Sequence, residues 1–124
     1  MFDHVQIRVR SLEVSRAFYH AIMEVLDHKV VLEFDGVVIG YGPDPHNMFE
    51  IRQSGSDSPL SKSVHVAFRA QSDQVVREFH KAGLDHGGKC NGEPGLRPHY
   101  EEGYYAAFIL DPDGHNIEAV CSHA

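Results

Sequence analysis

His4-Val5-Gln6-Ile7-Arg8-Val9-Arg10-Ser11-Leu12-Glu13-Val14-Ser15-Arg16-Ala17-Phe18 is answered, at a fixed offset of 61 residues, by His65-Val66-Ala67-Phe68-Arg69-Ala70-Gln71-Ser72-Asp73-Gln74-Val75-Val76-Arg77-Glu78-Phe79. His, Val, Arg, Ser, Val and Phe recur in the same order. Each copy opens with the period-two alternation of a half-buried strand. Val5, Ile7 and Val9 oppose His4, Gln6 and Arg8; Val64, Val66 and Phe68 oppose His65, Ala67 and Arg69. Ser11 and Ser72 then stand at helix N-cap positions, the first ahead of a stripe of Leu12, Val14, Phe18, Ile22 and Leu26. The chain contains one unit twice.

Working outward, the first helix is expected over 11–26, with strands at 29–34 and 37–41 hinged at Asp35-Gly36, a strong hairpin signal. A loop at 42–47 leads to a strand at 48–53, and 55–62 is a polar linker rich in turn formers. The second copy repeats the order: strand 63–70, helix 72–83 stopped at Gly83, then strands in 85–90, 104–110 and 115–121. Asp111-Pro112-Asp113-Gly114 supplies the tight turn before the last strand. The expected fold is α+β, a single domain over 1–124. Two tandem βαβββ modules, 1–54 and 63–124, form curved mixed sheets around a cleft with the helices outside. The second module is longer, and its excess falls in 91–103, a stretch without period that still carries Arg97, His99 and Tyr100. Loops of that length in compact domains tend to carry function.

Composition narrows the classes. The formal charge of −7 argues against nucleic acid, whose binders need a basic face, and suits a site that takes a cation. No apolar run approaches the roughly 18 residues of a membrane span, and no basic-then-apolar leader opens the chain, so the cytoplasm is the expected compartment. Cys90 and Cys121 sit in no CxxC pattern and read as free thiols.

Strand parity selects the candidate site. If the apolar faces pack on the helices, His4, His65, Glu50 and Glu118 all fall on the opposite surface, together with Asn116. Two imidazoles and two carboxylates suit one first-row divalent ion. A carboxylate buried in a strand costs several kcal/mol unless it is paired or ligating, so a structural ion pair of Glu50 with Arg52 or Arg8 is the competing explanation. Tyr105 and Ala107 share one face of strand 104–110, and Tyr105 enters the pocket if that face is the concave one.

These features, with the closing Asp111-Pro112-Asp113-Gly114-His115-Asn116-Ile117-Glu118, resemble the vicinal oxygen chelate superfamily: glyoxalase I, bleomycin-resistance proteins and extradiol dioxygenases. The segment from Gly95 to Tyr100, with Tyr104 to Phe108, resembles an uncharacterised glyoxalase-like branch rather than glyoxalase I proper. The resemblance implies metal ligands His4, Glu50, His65 and Glu118 for one divalent ion per site (Zn, Ni, Mn, Co or Fe(II)). It also implies a homodimer and a small-molecule substrate with vicinal oxygens. The chemistry expected is a lyase or isomerase reaction in which Glu118 or Glu50 moves a proton between adjacent carbons. Arg97, His99, Tyr100, Tyr105 and Asn116 would bind the substrate, His99 and Tyr105 also being candidates for catalysis. Alternatives are an Fe(II) extradiol-type dioxygenase on His4, His65 and Glu118 with His99 as acid/base, and a non-catalytic drug-binding resistance protein.

Overall fold

Each cap serine closes its helix as its position implies. Ser11 Oγ accepts the Val14 N–H at 3.3 Å and Ser72 Oγ the Val75 N–H at 3.2 Å. The structure, a computed structural model, describes residues 1–123. Among them the elements run β1 (His4–Val9), α1 (Leu12–Val25), β2 (Lys29–Phe34), β3 (Val38–Asp44), β4 (Asn47–Gln53), β5 (His65–Arg69), α2 (Asp73–Asp85), β6 (Lys89–Leu96), β7 (Tyr104–Leu110) and β8 (Asn116–Ser122). The order βαβββ thus occurs twice, in an α+β fold. Each unit folds into a four-stranded mixed sheet, β1-β4-β3-β2 and β5-β8-β7-β6. In each sheet the first strand runs parallel to the last, and the other neighbours are antiparallel. No helix among the described residues is long and apolar enough to cross a membrane.

The apolar faces pack on the helices. Ile7, Val9, Phe49 and Ile51 of the first sheet and Ala107, Ile109, Ile117 and Ala119 of the second share one core with Phe18, Tyr19, Ile22, Val76 and Phe79 of the helices. Fully burying each large side chain of this set contributes about 1.5–3 kcal/mol. α1 packs directly against α2, and Tyr19 of α1 donates its hydroxyl to Asp111 of the second module at 2.5 Å. The helix-bearing faces of both sheets are therefore joined. The opposite faces of both sheets look away from that junction.

Several boundaries differ from the sequence reading. β3 runs on to Asp44 and β4 opens at Asn47, so most of the loop expected at 42–47 is strand. Gly83 does not end α2, which continues to Asp85. A Cβ at Gly83 would stand 3.0 Å from Ile109 Cδ1, so this glycine serves a close helix–strand approach. The left-handed residue that ends the helix is Gly87, at φ 101°. The later exit moves the sixth strand from 85–90 to Lys89–Leu96. Half of the expected loop is accordingly strand, held to β7 through two register shifts, between Cys90 and Gly92 and between Gly92 and Gly95.

Candidate metal centre

The two modules build the same local arrangement. Along β1 and β4, Gln6 lies opposite Glu50 and His4 opposite Met48, so His4 is one diagonal step from Glu50 on the open face. Along β5 and β8, Ala67 lies opposite Glu118 and His65 opposite Asn116, the same diagonal. Both carboxylates are buried, Glu50 at 6% exposure and Glu118 at 3%, whereas both imidazoles are about half exposed.

Glu118 Oε1 stands 3.1 Å from His65 Nε2, and its Oε2 accepts the Tyr104 hydroxyl at 2.5 Å. Among the described residues Glu50 Oε1 accepts from a neutral donor, Gln6 Nε2, at 3.0 Å. Among the described residues neither Arg8 nor Arg52 pairs with it, so the ion-pair explanation for its burial does not hold. A buried carboxylate with a neutral partner is a group whose burial a bound cation would offset.

The imidazoles are oriented alike. His4 Nδ1 lies 2.8 Å from Asp3 Oδ1, and His65 Nδ1 lies 3.1 Å from the Asn116 carbonyl oxygen. When each Nδ1 carries the proton toward its oxygen, each Nε2 is left with its lone pair on the open face. Metal-ligating histidines are oriented by such oxygen partners. Asp3 also takes His46 Nδ1 at 3.0 Å. Its hydrogen bonds to His4 and His46 hold the Asp3 carboxyl below its ordinary range, and the bond to Asp3, then the charge of Glu50, raises His4.

Within one chain the two pairs stay apart. Among the described residues, groups of three possible ligands lying within 4.8 Å of one another are Asp73/Cys121/His123, His80/Cys90/Glu93 and Asp111/Asp113/His115. None of these contains His4, Glu50, His65 or Glu118.

Several of the other expected residues gather on the second half-site. Phe108 stacks on His65 with ring centroids 6.2 Å apart, and Arg97 lies over Phe108 at 5.4 Å. The Arg97 guanidinium donates to the carbonyls of Gly95 and Glu93 at 2.9 and 2.7 Å, so it also ties down its own segment. His99 contacts Tyr100, and Tyr100 meets Tyr104 edge-on at 5.3 Å. Asn116 accepts from Asn91 Nδ2 at 3.2 Å. Tyr105 is the exception. It pairs with Cys121 on the helix side, and its hydroxyl accepts from Arg77 of α2 at 3.2 Å. The face shared by Tyr105 and Ala107 is the packed one, so the expectation that Tyr105 enters the pocket is corrected.

Sequence reasoning missed Asp3, Gln6, Tyr104 and Phe108. Tyr104 is the tyrosine on the open face, and burial, then its bond to Glu118, pushes it up to about 12. The tight turn at 111–114 was the available signal. It sets Ile109 opposite Ile117, and alternation from there puts Phe108 and Tyr104 on the face of Glu118.

Comparison with known proteins identifies the family and the fold. A solved glyoxalase/bleomycin resistance protein from Albidiferax ferrireducens T118 is 32% identical, covers 97% of each chain and superposes with a TM-score of 0.82. The E144Q glyoxalase I mutant from Zea mays, 24% identical over 94% of this chain and 45% of its own, shares the fold at a TM-score of 0.71. A "Putative lactoylglutathione lyase" from Brassica oleracea var. gemmifera is 31% identical over 124 residues, 96% of this chain; the chain spans 43% of that relative's length. The Glyoxalase/Bleomycin resistance protein/Dioxygenase superfamily matches residues 1–119, and the chain belongs to it.

Proposed function

We propose that the protein is a metal-dependent, glyoxalase-like lyase or isomerase. Its site pairs His4 and Glu50 of one copy with His65 and Glu118 of a second. The observation that carries this reading is the repeated half-site: an imidazole with its Nδ1 tied to oxygen, beside a carboxylate buried on an otherwise open sheet face. Each half offers two ligands, and tight binding of a divalent ion needs three or four. Both open faces turn away from the shared core, so a partner face must come from another molecule. β1 and β5 are sheet edges, and a groove of about 650 Å³ lined by Phe2, Val5, Phe49, Phe68 and His65 runs beside them. An edge strand next to exposed apolar side chains calls for a second chain.

The donor set of two imidazole nitrogens and two carboxylates fits a first-row divalent ion. Such an ion, when bound, supplies Lewis acidity to two adjacent oxygens of a small substrate. In this reading Glu118 takes a proton from the neighbouring carbon and returns it one carbon along, with no net oxidation. Tyr104 stays protonated through neutral pH and holds Oε2 of Glu118, fixing the carboxylate's orientation. Phe108, stacked on His65, walls the same side, and Arg97 above it offers a cation to an anionic group of the substrate. The burial of Glu50 beside a neutral partner supports counting it as a fourth ligand, and so the lyase over a three-ligand dioxygenase.

Metal analysis of protein purified without a histidine tag should find one divalent ion per chain that depends on this quartet, counted as the difference in content between the parent and His65→Ala. His65→Ala should lose it, and Tyr104→Phe should keep it while turnover falls at least about tenfold. Undiminished metal affinity in His65→Ala would remove the assignment. A metal-free parent that still binds aromatic drugs would favour the resistance-protein alternative.

A further inference from the structure

On the far side of the second sheet from the His65–Glu118 pair, three side chains without a role in that chemistry come together. His80 of α2 is buried at 6% exposure, and its Nε2 lies 3.2 Å from Cys90 Sγ and 4.0 Å from Glu93 Oε2. Cys90 Sγ lies 3.5 Å from Glu93 Oε1. A thiol is a weak hydrogen-bond partner for a buried imidazole. The side chains of Cys90 and Glu93 open to solvent at the sheet edge, because β6 is the outermost strand.

The backbone explains how two residues three apart share a face. In a regular strand Cys90 and Glu93 would point to opposite sides. Cys90 lies opposite Ile109, which packs against Gly83 of α2, and Gly92 lies opposite Phe108, so one extra residue is inserted in β6 between them. That bulge returns Glu93 to the helix side, beside Cys90 and His80. Bulges commonly re-aim a side chain in this way.

The geometry points to a second metal site: we propose that His80, Cys90 and Glu93 bind a thiolate-preferring divalent ion of zinc type, clipping β6 to α2. Bond lengths of about 2.0–2.3 Å in a tetrahedron place nitrogen, sulfur and oxygen ligands roughly 3.4–3.6 Å apart, close to the separations present here. One thiolate, one carboxylate and one neutral imidazole balance a divalent charge, and the exposed edge leaves the fourth position to water. Metal binding displaces the thiol proton to solvent; nothing is oxidised or reduced. The strand so fastened runs directly into Arg97, His99 and Tyr100, so the clip would also steady the wall of the other site.

Cobalt(II) titration of metal-stripped protein separates this site from the histidine–glutamate quartet, which contains no sulfur. The parent should show a near-ultraviolet thiolate-to-cobalt band with the amplitude of one thiolate site per chain, complete by two equivalents of added cobalt because the quartet takes up the other. Cys90→Ser should abolish it, Cys121→Ser should retain it, and Glu93→Gln should weaken the affinity behind it about tenfold or more. A parent without the band, or a band that survives Cys90→Ser, overturns the proposal. A measurement independent of any variant's folding is alkylation of the parent, read at each cysteine by mass spectrometry. Zinc should protect Cys90, and alkylation at an unchanged rate overturns the proposal equally.

Discussion

Asp3 divides its carboxylate between His4 and His46, and so couples the candidate ligand of module 1 to a neighbouring charge. The charge of Asp3 favours the imidazolium, so His4 titrates above the ordinary histidine value of about 6.5. A proton therefore competes with a metal at His4 up to a higher pH than at an unperturbed histidine. The linkage has a definite sign. Whatever stability the raised His4 contributes is complete below its unfolded value and is lost as pH rises through the raised folded one. The depressed Asp3 works in the opposite sense, its contribution present above its unfolded value and lost as pH falls through the folded one. Both groups are exposed, so the effect is read at the residue rather than in global stability. Asp3→Asn should lower the His4 titration midpoint, followed by NMR in the metal-free protein, and at pH 8 should cost about tenfold in metal affinity through lost orientation. An unmoved His4 midpoint would show that Asp3 does not govern this ligand. The candidate ligands were legible in the sequence because each alternates with apolar neighbours, Glu118 between Ile117 and Ala119 most clearly. Asp3 was not, since it precedes the strand and its partnership depends on where His46 returns.

Among the elements, the strands with one wet face were read correctly and β7 was not, for a physical reason. Tyr104 to Leu110 is apolar on both faces, so alternation carries no information about which side meets the helix. The wet side of β7 is instead covered by its own module, where Phe108 lies against His65 and Arg97. The corresponding position opposite Glu50 is Gly40, where an added Cβ would stand 2.7 Å from Met48 Sδ. The two half-sites thus share their candidate ligands and differ in their walls, module 2 bringing the aromatic one. A second element-level feature is the lock between α1 and the turn before β8. Tyr19, fully buried, donates to Asp111 Oδ2, while Asp111 Oδ1 accepts the N–H groups of Asp113 and His115. Tyr19→Phe removes the donor without changing the packing and leaves a buried carboxylate oxygen unsatisfied. Its expected cost is about 1–3 kcal/mol in urea unfolding at unchanged m-value. A loss well below that range would mean that water replaces the hydroxyl and that the modules are held by their other contacts.

For the whole molecule, the repeat makes two half-sites legible but not how they are distributed. A pseudo-twofold repeat can set its modules with the ligand faces together or with the helix faces together, and alternation along a strand is the same in both. The contacts that decide are long-range ones, α1 against α2 and Phe49 against Phe68, and no local pattern announces them. With the helix faces joined, completing the quartet becomes a question of stoichiometry between chains. His4→Ala and His65→Ala chains should each form dimers without an intact site. In a mixed dimer, one site collects both substitutions while the other receives His65 from the His4→Ala chain and His4 from the His65→Ala chain. Unfolding and refolding equal amounts together should therefore restore about a quarter of the parent's metal sites, since half the dimers are mixed and each holds one intact site. The control is a doubly substituted His4→Ala/His65→Ala chain refolded with parent chain. Every site in its mixed dimers is damaged, so it should contribute none beyond those of the residual parent dimers. Recovery of metal binding in the first mixture and not in the mixed dimers of the second is possible only if each site draws on two chains. Failure of the first mixture, with about half of the parent's sites kept in the second because each parent chain holds its own, and with dimers present by light scattering, would return all four ligands to a single chain and require the helix-to-helix packing to open.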